Sequence, residues 1–261
     1  MPLLFIVDAF TDRPFAGNPA AVSLLKGWPD DAWMQSVAAE MNLSETAFVW
    51  KREDGVWPLR WFTPAVEVDL CGHATLATAH ILFENGLAKP GTTIRFDTRS
   101  GLLTAIQKGD EIELDFPAKP ALATAPPVGL IEALGVTPRF IGRNQFDYLV
   151  EVDSEAELRA AKPNFQQLAA VECRGVILTA VGTTGPDFVS RFFAPASGVN
   201  EDPVTGSAHC ALAVYWGEKL GKSTLIGYQA SARGGVVRVT RMGDRVKLGG
   251  RAITKLRGEL V

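Results

Sequence analysis

Three side chains in this 261-residue chain sit where acid-base chemistry is open to them: Glu45, His73 and Asp202. Glu45 lies in Asn42-Leu43-Ser44-Glu45-Thr46-Ala47-Phe48. A carboxyl group beside apolar neighbours can have a raised pKa and exchange protons near neutrality, although the commoner fate of a glutamate is solvation. His73 follows Gly72, Ser207 follows Gly206, and each pair opens an apolar stretch. A helix that starts with glycine offers unpaired backbone N–H groups and the positive end of its dipole to a small carboxylate or carbonyl, and lets the ligand come close. Tight helix packing is the ordinary alternative for such glycines. Asp202, in Asn200-Glu201-Asp202-Pro203-Val204-Thr205-Gly206-Ser207, precedes the second opening. It reads either as part of an Asp-Pro turn or as a second acid or base working with Glu45 or His73, held ionised by the nearby helix N-terminus.

Other chemistries have little support. Cys71, Cys173 and Cys210 are an odd count without paired spacing, so neither a disulfide framework nor a zinc ribbon is indicated. His73 and His80 stand seven apart with no acidic residue at ligand spacing, and no metal is expected. Ser207 and His209 lack a nucleophile elbow and, two apart on a helix, do not face each other. A net charge of -3 without a basic stripe argues against nucleic acid. No segment reads as a signal peptide or a membrane span, so a cytoplasmic protein is expected.

The elements that must position these residues come from a comparison of the chain with itself. Arg60-Trp61-Phe62-Thr63-Pro64-Ala65 matches Arg191-Phe192-Phe193-Ala194-Pro195-Ala196, 131 residues later. After a three-residue insertion, Gly72-His73-Ala74-Thr75-Leu76-Ala77 falls on Gly206-Ser207-Ala208-His209-Cys210-Ala211, Arg99-Ser100-Gly101 on Arg233-Gly234-Gly235, and Gly109-Asp110 on Gly243-Asp244. Collinear matches of this kind indicate duplication. The Pro/Ala-rich stretch from Pro117 to Pro127 reads as the linker. The expected lobes are 1–118 and 119–261, the last strand or helix being a candidate to return to the N-terminal lobe.

Strand patterns fall at 4–7, 47–50, 59–62, 93–96, 102–106 and 112–116, then at 148–152, 176–180, 189–193, 236–239 and 245–248. Asp30 to Met41 reads as a surface helix with Asp30 as N-cap and Trp33, Val37, Ala38 and Met41 on its apolar face. Ala74 to Leu82 and Ala208 to Trp216 are apolar around nearly the whole circumference, which predicts helices buried on all sides. The expected fold is α+β: two similar lobes, each a curved, mostly antiparallel, barrel-like sheet around a central helix, with the active site in the cleft between them.

Four blocks in order carry a resemblance: Asp8-Ala9-Phe10-Thr11 with Phe15-Ala16-Gly17-Asn18-Pro19-Ala20-Ala21-Val22; Asn42 to Phe48; Cys71-Gly72-His73-Ala74-Thr75; and Glu201-Asp202-Pro203-Val204-Thr205-Gly206-Ser207-Ala208-His209. Through them the chain resembles, over essentially its full length, the PhzF or phenazine-biosynthesis-like family, which shares the diaminopimelate epimerase fold. The resemblance implies a cofactor-independent isomerase that moves a proton on a small carboxylated substrate, in the founding activity a dihydro-hydroxyanthranilate. It also implies a homodimer. By motif, Glu45 falls on the family's catalytic glutamate, and His73, Asp202 and Ser207 on its active-site histidine, aspartate and serine. Gly72, Gly206 and Ser207, with Asn18 and Ser44 from the first two blocks, form the expected substrate-binding set. Thiol-dependent relatives use two opposed cysteines, one ahead of each helix glycine. Here Cys71 precedes Gly72, but Thr205 precedes Gly206. Two-thiol racemisation therefore lacks half its apparatus, which favours Glu45 as a proton shuttle. An epimerase pairing Cys71 with a carboxylate, or a silent small-molecule-binding protein, stays open.

Overall fold

The structure, a computed structural model, describes residues 1–261. It is a mixed α/β fold with a large curved sheet and few helices. The chain divides into two compact units, Met1–Phe116 with Lys247–Val261, and Pro117–Val246. In the first lie β1 (Leu3–Ala9), β2 (Asn18–Leu24), α1 (Asp31–Met41), β3 (Glu45–Val49), β4 (Trp57–Phe62), β5 (Glu67–Val68), α2 (Gly72–Glu84), β6 (Thr93–Thr98), β7 (Gly101–Lys108) and β8 (Glu111–Pro117). The second begins with β9 (Leu122–Ala123), α3 (Leu130–Leu134), β10 (Pro138–Arg143), β11 (Asp147–Val152), α4 (Glu155–Ala160), α5 (Phe165–Leu168), β12 (Gly175–Val181) and β13 (Phe188–Ala194). It continues through β14 (Val199–Asp202), α6 (Gly206–Leu220), β15 (Thr224–Gln229) and β16 (Gly235–Met242). β17 (Arg245–Gly250) then leads the chain back to the first unit, which β18 (Ala252–Glu259) completes.

Pairing follows the same plan in each unit. In the first, β18, β1, β2, β3 and β4 lie side by side; β4 then pairs with both β5 and β6, and β6 continues to β7 and β8. In the second the order is β9, β10, β11, β12, β13; β13 pairs with both β14 and β15, and β15 with β16. The parallel pairs are β2–β3 and β4–β6 in one unit, β11–β12 and β13–β15 in the other.

Burial explains the residue choice. β6, β8 and β16 alternate buried and more exposed positions, as a sheet with one wet face requires. β2, β11 and β12 are buried at nearly every position, because both of their faces are covered. α2 packs against β1, β2, β3, β7 and β18, and α6 against β15 and β16. On the outside, α1 covers Phe48 and Phe62, while α3, α4 and α5 bring Leu134, Leu158 and Leu168 to Val150, Leu178 and Phe193.

Several elements differ from expectation. The face of α1 that is buried is Met34, Val37 and Ala38; Trp33 and Met41 sit at its margin, since Met34 shares the stripe of residues three and four positions on. Asp30 does cap this helix, accepting from the Ala32 amide. Both central helices start two residues early, at Gly72 and Gly206. Within the expected linker, Leu122–Ala123 pairs with β10. β2, β10, β15 and the short helices α3 to α5 fall outside the patterns read from the sequence, whereas β18 is a last strand that groups with the N-terminal unit. No helix is long and apolar enough to cross a membrane.

Candidate active site

In the first unit the α1–β3 turn sets Glu45. α1 ends at Met41, Asn42 takes left-handed backbone (φ 48°) as its C-cap, and three residues later the chain enters β3 with Glu45. β2 starts alongside, opened by Asn18, because β2 and β3 run parallel. The loop that delivers Asn18 is pinned by Asp8, which is fully buried, accepts from the Phe15 amide (2.8 Å) and pairs with Lys255 (3.0 Å). Gly17 in that loop has φ +63°, and a Cβ there would lie 2.1 Å from the Ala9 carbonyl oxygen, so only glycine fits.

These elements meet at the start of α2. His73 Nε2 lies 3.1 Å from Glu45 Oε2, yet the approach is too oblique to count as a hydrogen bond, and both atoms are buried without another partner. On the other edge of the ring, Nδ1 is 3.2 Å from Asn18 Nδ2 and 3.5 Å from Cys71 Sγ. In the neutral ring, with the Asn18 amide donating, Nδ1 is the acceptor and the proton sits on Nε2, on the Glu45 side; in the imidazolium both nitrogens carry protons. Ser44 Oγ donates to Asn18 Oδ1 at 3.4 Å, fixing the amide that way round. Thus Glu45, Cys71, His73, Asn18 and Ser44 form one cluster around Gly72.

Burial, reinforced by the Glu45 charge, pushes the Cys71 thiol up to about 11, so it is a thiol at neutral pH. Burial works against a charge on His73, but the Cys71 sulfur and the Glu45 carboxylate outweigh it and hold the imidazole well above its ordinary value. With Cys71 protonated below about pH 11, Glu45 is the charge that acts on His73 in the neutral range.

Donor atoms of Glu45, Cys71 and His73 lie within 4.8 Å of one another, a grouping that could hold a metal ion and that the spacing of the histidines gave no hint of. The fit is poor. Glu45 faces one ring nitrogen and Cys71 the other, so no single nitrogen shares an ion with both.

In the second unit, β14 brings Asp202 opposite Phe192 of β13. Thr205 donates its hydroxyl to the Asp202 carboxylate. Gln229, fully buried, accepts from the Thr205 amide (2.9 Å) and donates to the Asp202 carbonyl (2.7 Å), holding the turn into α6. Cys71 and Thr205 are the N-caps of α2 and α6, and neither caps its helix with its side chain. A helix start not capped in this way offers its amides to a ligand. Ser207 accepts from Arg174 (3.0 Å), whose guanidinium forks onto the buried Asp147. Arg174, Asp147 and Gln229 escaped the sequence reading because nothing local marks them. His209 is no site residue: it is fully buried, donates Nδ1–H to the Thr205 carbonyl (2.9 Å), and burial pushes it down to about 4.

Residues 7–258 match the family described as phenazine biosynthesis-like protein, PhzC-PhzF. The chain belongs to that family. An uncharacterized isomerase of Halalkalibacterium halodurans is 55% identical over 260 residues, covering 99% of this chain and 98% of its own. The crystal structure of a PhzF-family phenazine biosynthesis protein of Enterococcus faecalis superposes with a TM-score of 0.95 at 42% identity, covering 100% of this chain and 99% of that one. A hydroxyproline epimerase of Agrobacterium vitis, 11% identical with a TM-score of 0.62 over 98% of this chain and 91% of its own, shares the fold.

Proposed function

We propose that this phenazine biosynthesis-like protein is an isomerase that needs no cofactor and moves a proton between carbons of a small, possibly cyclic, carboxylic acid, with Glu45 carrying the proton. The observation that carries the reading is the buried, off-axis contact of Glu45 Oε2 with His73 Nε2 at 3.1 Å. Both groups are charged or strongly polar, both lie beside the open start of α2, and neither atom has a well-aligned protein partner. A substrate carbon that binds there meets a carboxylate able to take its proton and an N–H able to polarise or reprotonate it. Relatives named isomerases support the reaction class.

In this reading Glu45 removes a proton alpha to an activated carbon and returns it elsewhere on the conjugated system, an allylic or tautomeric shift. The amides that open α2 grip the carboxylate. The matched helix openings and the shared strand plan of the two units support a duplicated ancestry. An epimerase using Cys71 is less well supported, since its thiol is protonated at neutral pH and Thr205 stands in the matching position.

The test follows a dihydro-hydroxyanthranilate and a panel of small cyclic carboxylates by NMR in deuterated water. A double-bond shift with deuterium entering at the new C–H position is expected for the wild type. Glu45→Gln should lose it by at least about 100-fold while keeping the fold and the binding of the acid. Normal turnover by folded Glu45→Gln would end this assignment.

A further inference from the structure

The strand plan reveals what stands in the second unit where the first has its base. β3 and β12 each pair parallel with the strand before and antiparallel with the strand after. Thr46 lies opposite Phe62, and Val176 opposite Phe193, which are matched positions of the internal repeat. On this register Glu45 corresponds to Gly175, and Ser44 to Arg174. Position 175 cannot carry a side chain, since a Cβ there would lie 2.3 Å from the Phe192 ring. The side chain at that strand entrance is therefore the Arg174 guanidinium. It touches Ser207, the second residue of α6, as Glu45 touches His73, the second residue of α2.

The chemistry is inverted. Arg174 Nε donates to Asp147 Oδ1 (2.8 Å), Nη2 to Asp147 Oδ2, and Nη2 also to Ser207 Oγ (3.0 Å). Asp147 is 1% exposed, so the fork has a fixed base, and the Phe146 and Phe192 rings flank the guanidinium at 5.1 and 5.8 Å. An arginine has donors and no acceptor. Ser207 Oγ must receive from it, and its own O–H is turned away as a donor.

We propose that Arg174 is a positioning residue: anchored on Asp147, it orients the Ser207 hydroxyl as a hydrogen-bond donor to a bound carboxylate. The second unit thus carries a neutralised cation–hydroxyl device for an anion. This rests on the carboxylate-isomerase reading above and names a part of it that neither the motifs nor the relatives assign.

The test is calorimetric titration of the purified protein with anthranilate, a planar acid that the enzyme has no allylic proton to move on, and with anthranilamide, its uncharged counterpart. Ser207→Ala should weaken anthranilate by about 10- to 100-fold, the range for a hydrogen bond to a charged group. Arg174→Lys, which keeps the charge but loses the fork, should weaken it comparably. The double variant should be no worse than about twofold beyond either single one, because both changes remove one interaction. Anthranilamide binding should stay within about twofold throughout, which a merely structural role of Arg174 would not allow. Should Arg174→Lys perturb folding, Asp147→Asn with Arg174→Gln replaces the charged pair by an amide pair, and the same selective loss is expected. Multiplying effects, equal loss of both ligands, or unchanged anthranilate affinity in the Arg174 variants would overturn the inference while leaving Glu45 chemistry standing. Wild-type protein that binds neither probe, or prefers the amide, would instead remove the carboxylate reading and this inference with it.

Discussion

Raising the pH should ionise Cys71 late, and this separates a carboxylate shuttle from a thiol mechanism. Burial, and after it the Glu45 charge, lift the thiol from an ordinary 9.0 to about 11. At pH 8 a group with the ordinary value is about 10% thiolate and one at 11 about 0.1%, a roughly hundredfold depletion of the only form that takes a proton from carbon. The same shift is a stability statement. Between about pH 9 and 11 the unfolded chain has released a proton that the folded one keeps, so stability falls as pH rises; at about 1.4 kcal/mol per unit the loss reaches about 3 kcal/mol by pH 11 and is absent below about 9. The assay is thiolate absorbance near 240 nm in a Cys173→Ser/Cys210→Ala background, against the same protein carrying Cys71→Ala. One thiolate should appear with a midpoint near 11. Adding Glu45→Gln should bring the midpoint down while leaving it above 9, since burial is the larger cause. In urea unfolding, the alkaline loss should be smaller in Cys71→Ala than in its parent by about 3 kcal/mol. A Cys71 thiolate formed between pH 7 and 8.5 would refute the reasoning and return the thiol epimerase to first place.

Two further outcomes follow from buried groups. His209 is held down to about 4, so as pH falls from about 6.5 towards 4 the unfolded state gains a proton that the folded state refuses; about 3 kcal/mol of stability present above pH 6.5 is lost there, and urea midpoints of His209→Gln should lack that acid slope. Gly17→Ala puts a Cβ against the Ala9 carbonyl at positive φ; it should destabilise by at least about 2 kcal/mol, seen as a Tm drop of at least about 5 °C, and should displace Asn18 from His73, seen as a changed Nδ1 shift in nitrogen-15 NMR.

How much of this was legible in the sequence depends on whether the signal was local. α2 and α6 showed themselves because apolar residues encircle them, and β6, β7, β8, β16 and β17 because alternation or turn residues bound them. α1 announced its start with Asp30, although the buried stripe turned out to run through Met34. β2 was hidden inside a motif read for its chemistry, and β18, Ala-Ile-Thr-Lys-Leu-Arg-Gly-Glu, pairs with β1 and carries more charge than a core strand would. α3 to α5 are four to six residues long, too short for a helical period to show. At the candidate site, motif order singled out Glu45 and His73, but their contact joins a strand start to a helix start 28 residues on, and the grouping with Cys71 is a tertiary fact that no spacing rule encodes.

Arg174 marks the sharper limit, and shows how it can be passed. In sequence it is an ordinary basic residue between Cys173 and Gly175. Only the pairing register makes it the neighbour of the position that answers Glu45, and only the Phe192 ring explains why that position is glycine. A repeat comparison aligned by strand register rather than by identity would find it, because the two units keep their geometry while exchanging chemistry. An acid beside an imidazole and a cation beside a hydroxyl are then two fillings of one local frame. In the first frame the carboxylate stands against His73; in the second the arginine, balanced by Asp147, stands against Ser207, so the same strand entrance presents an acceptor in one unit and only donors in the other.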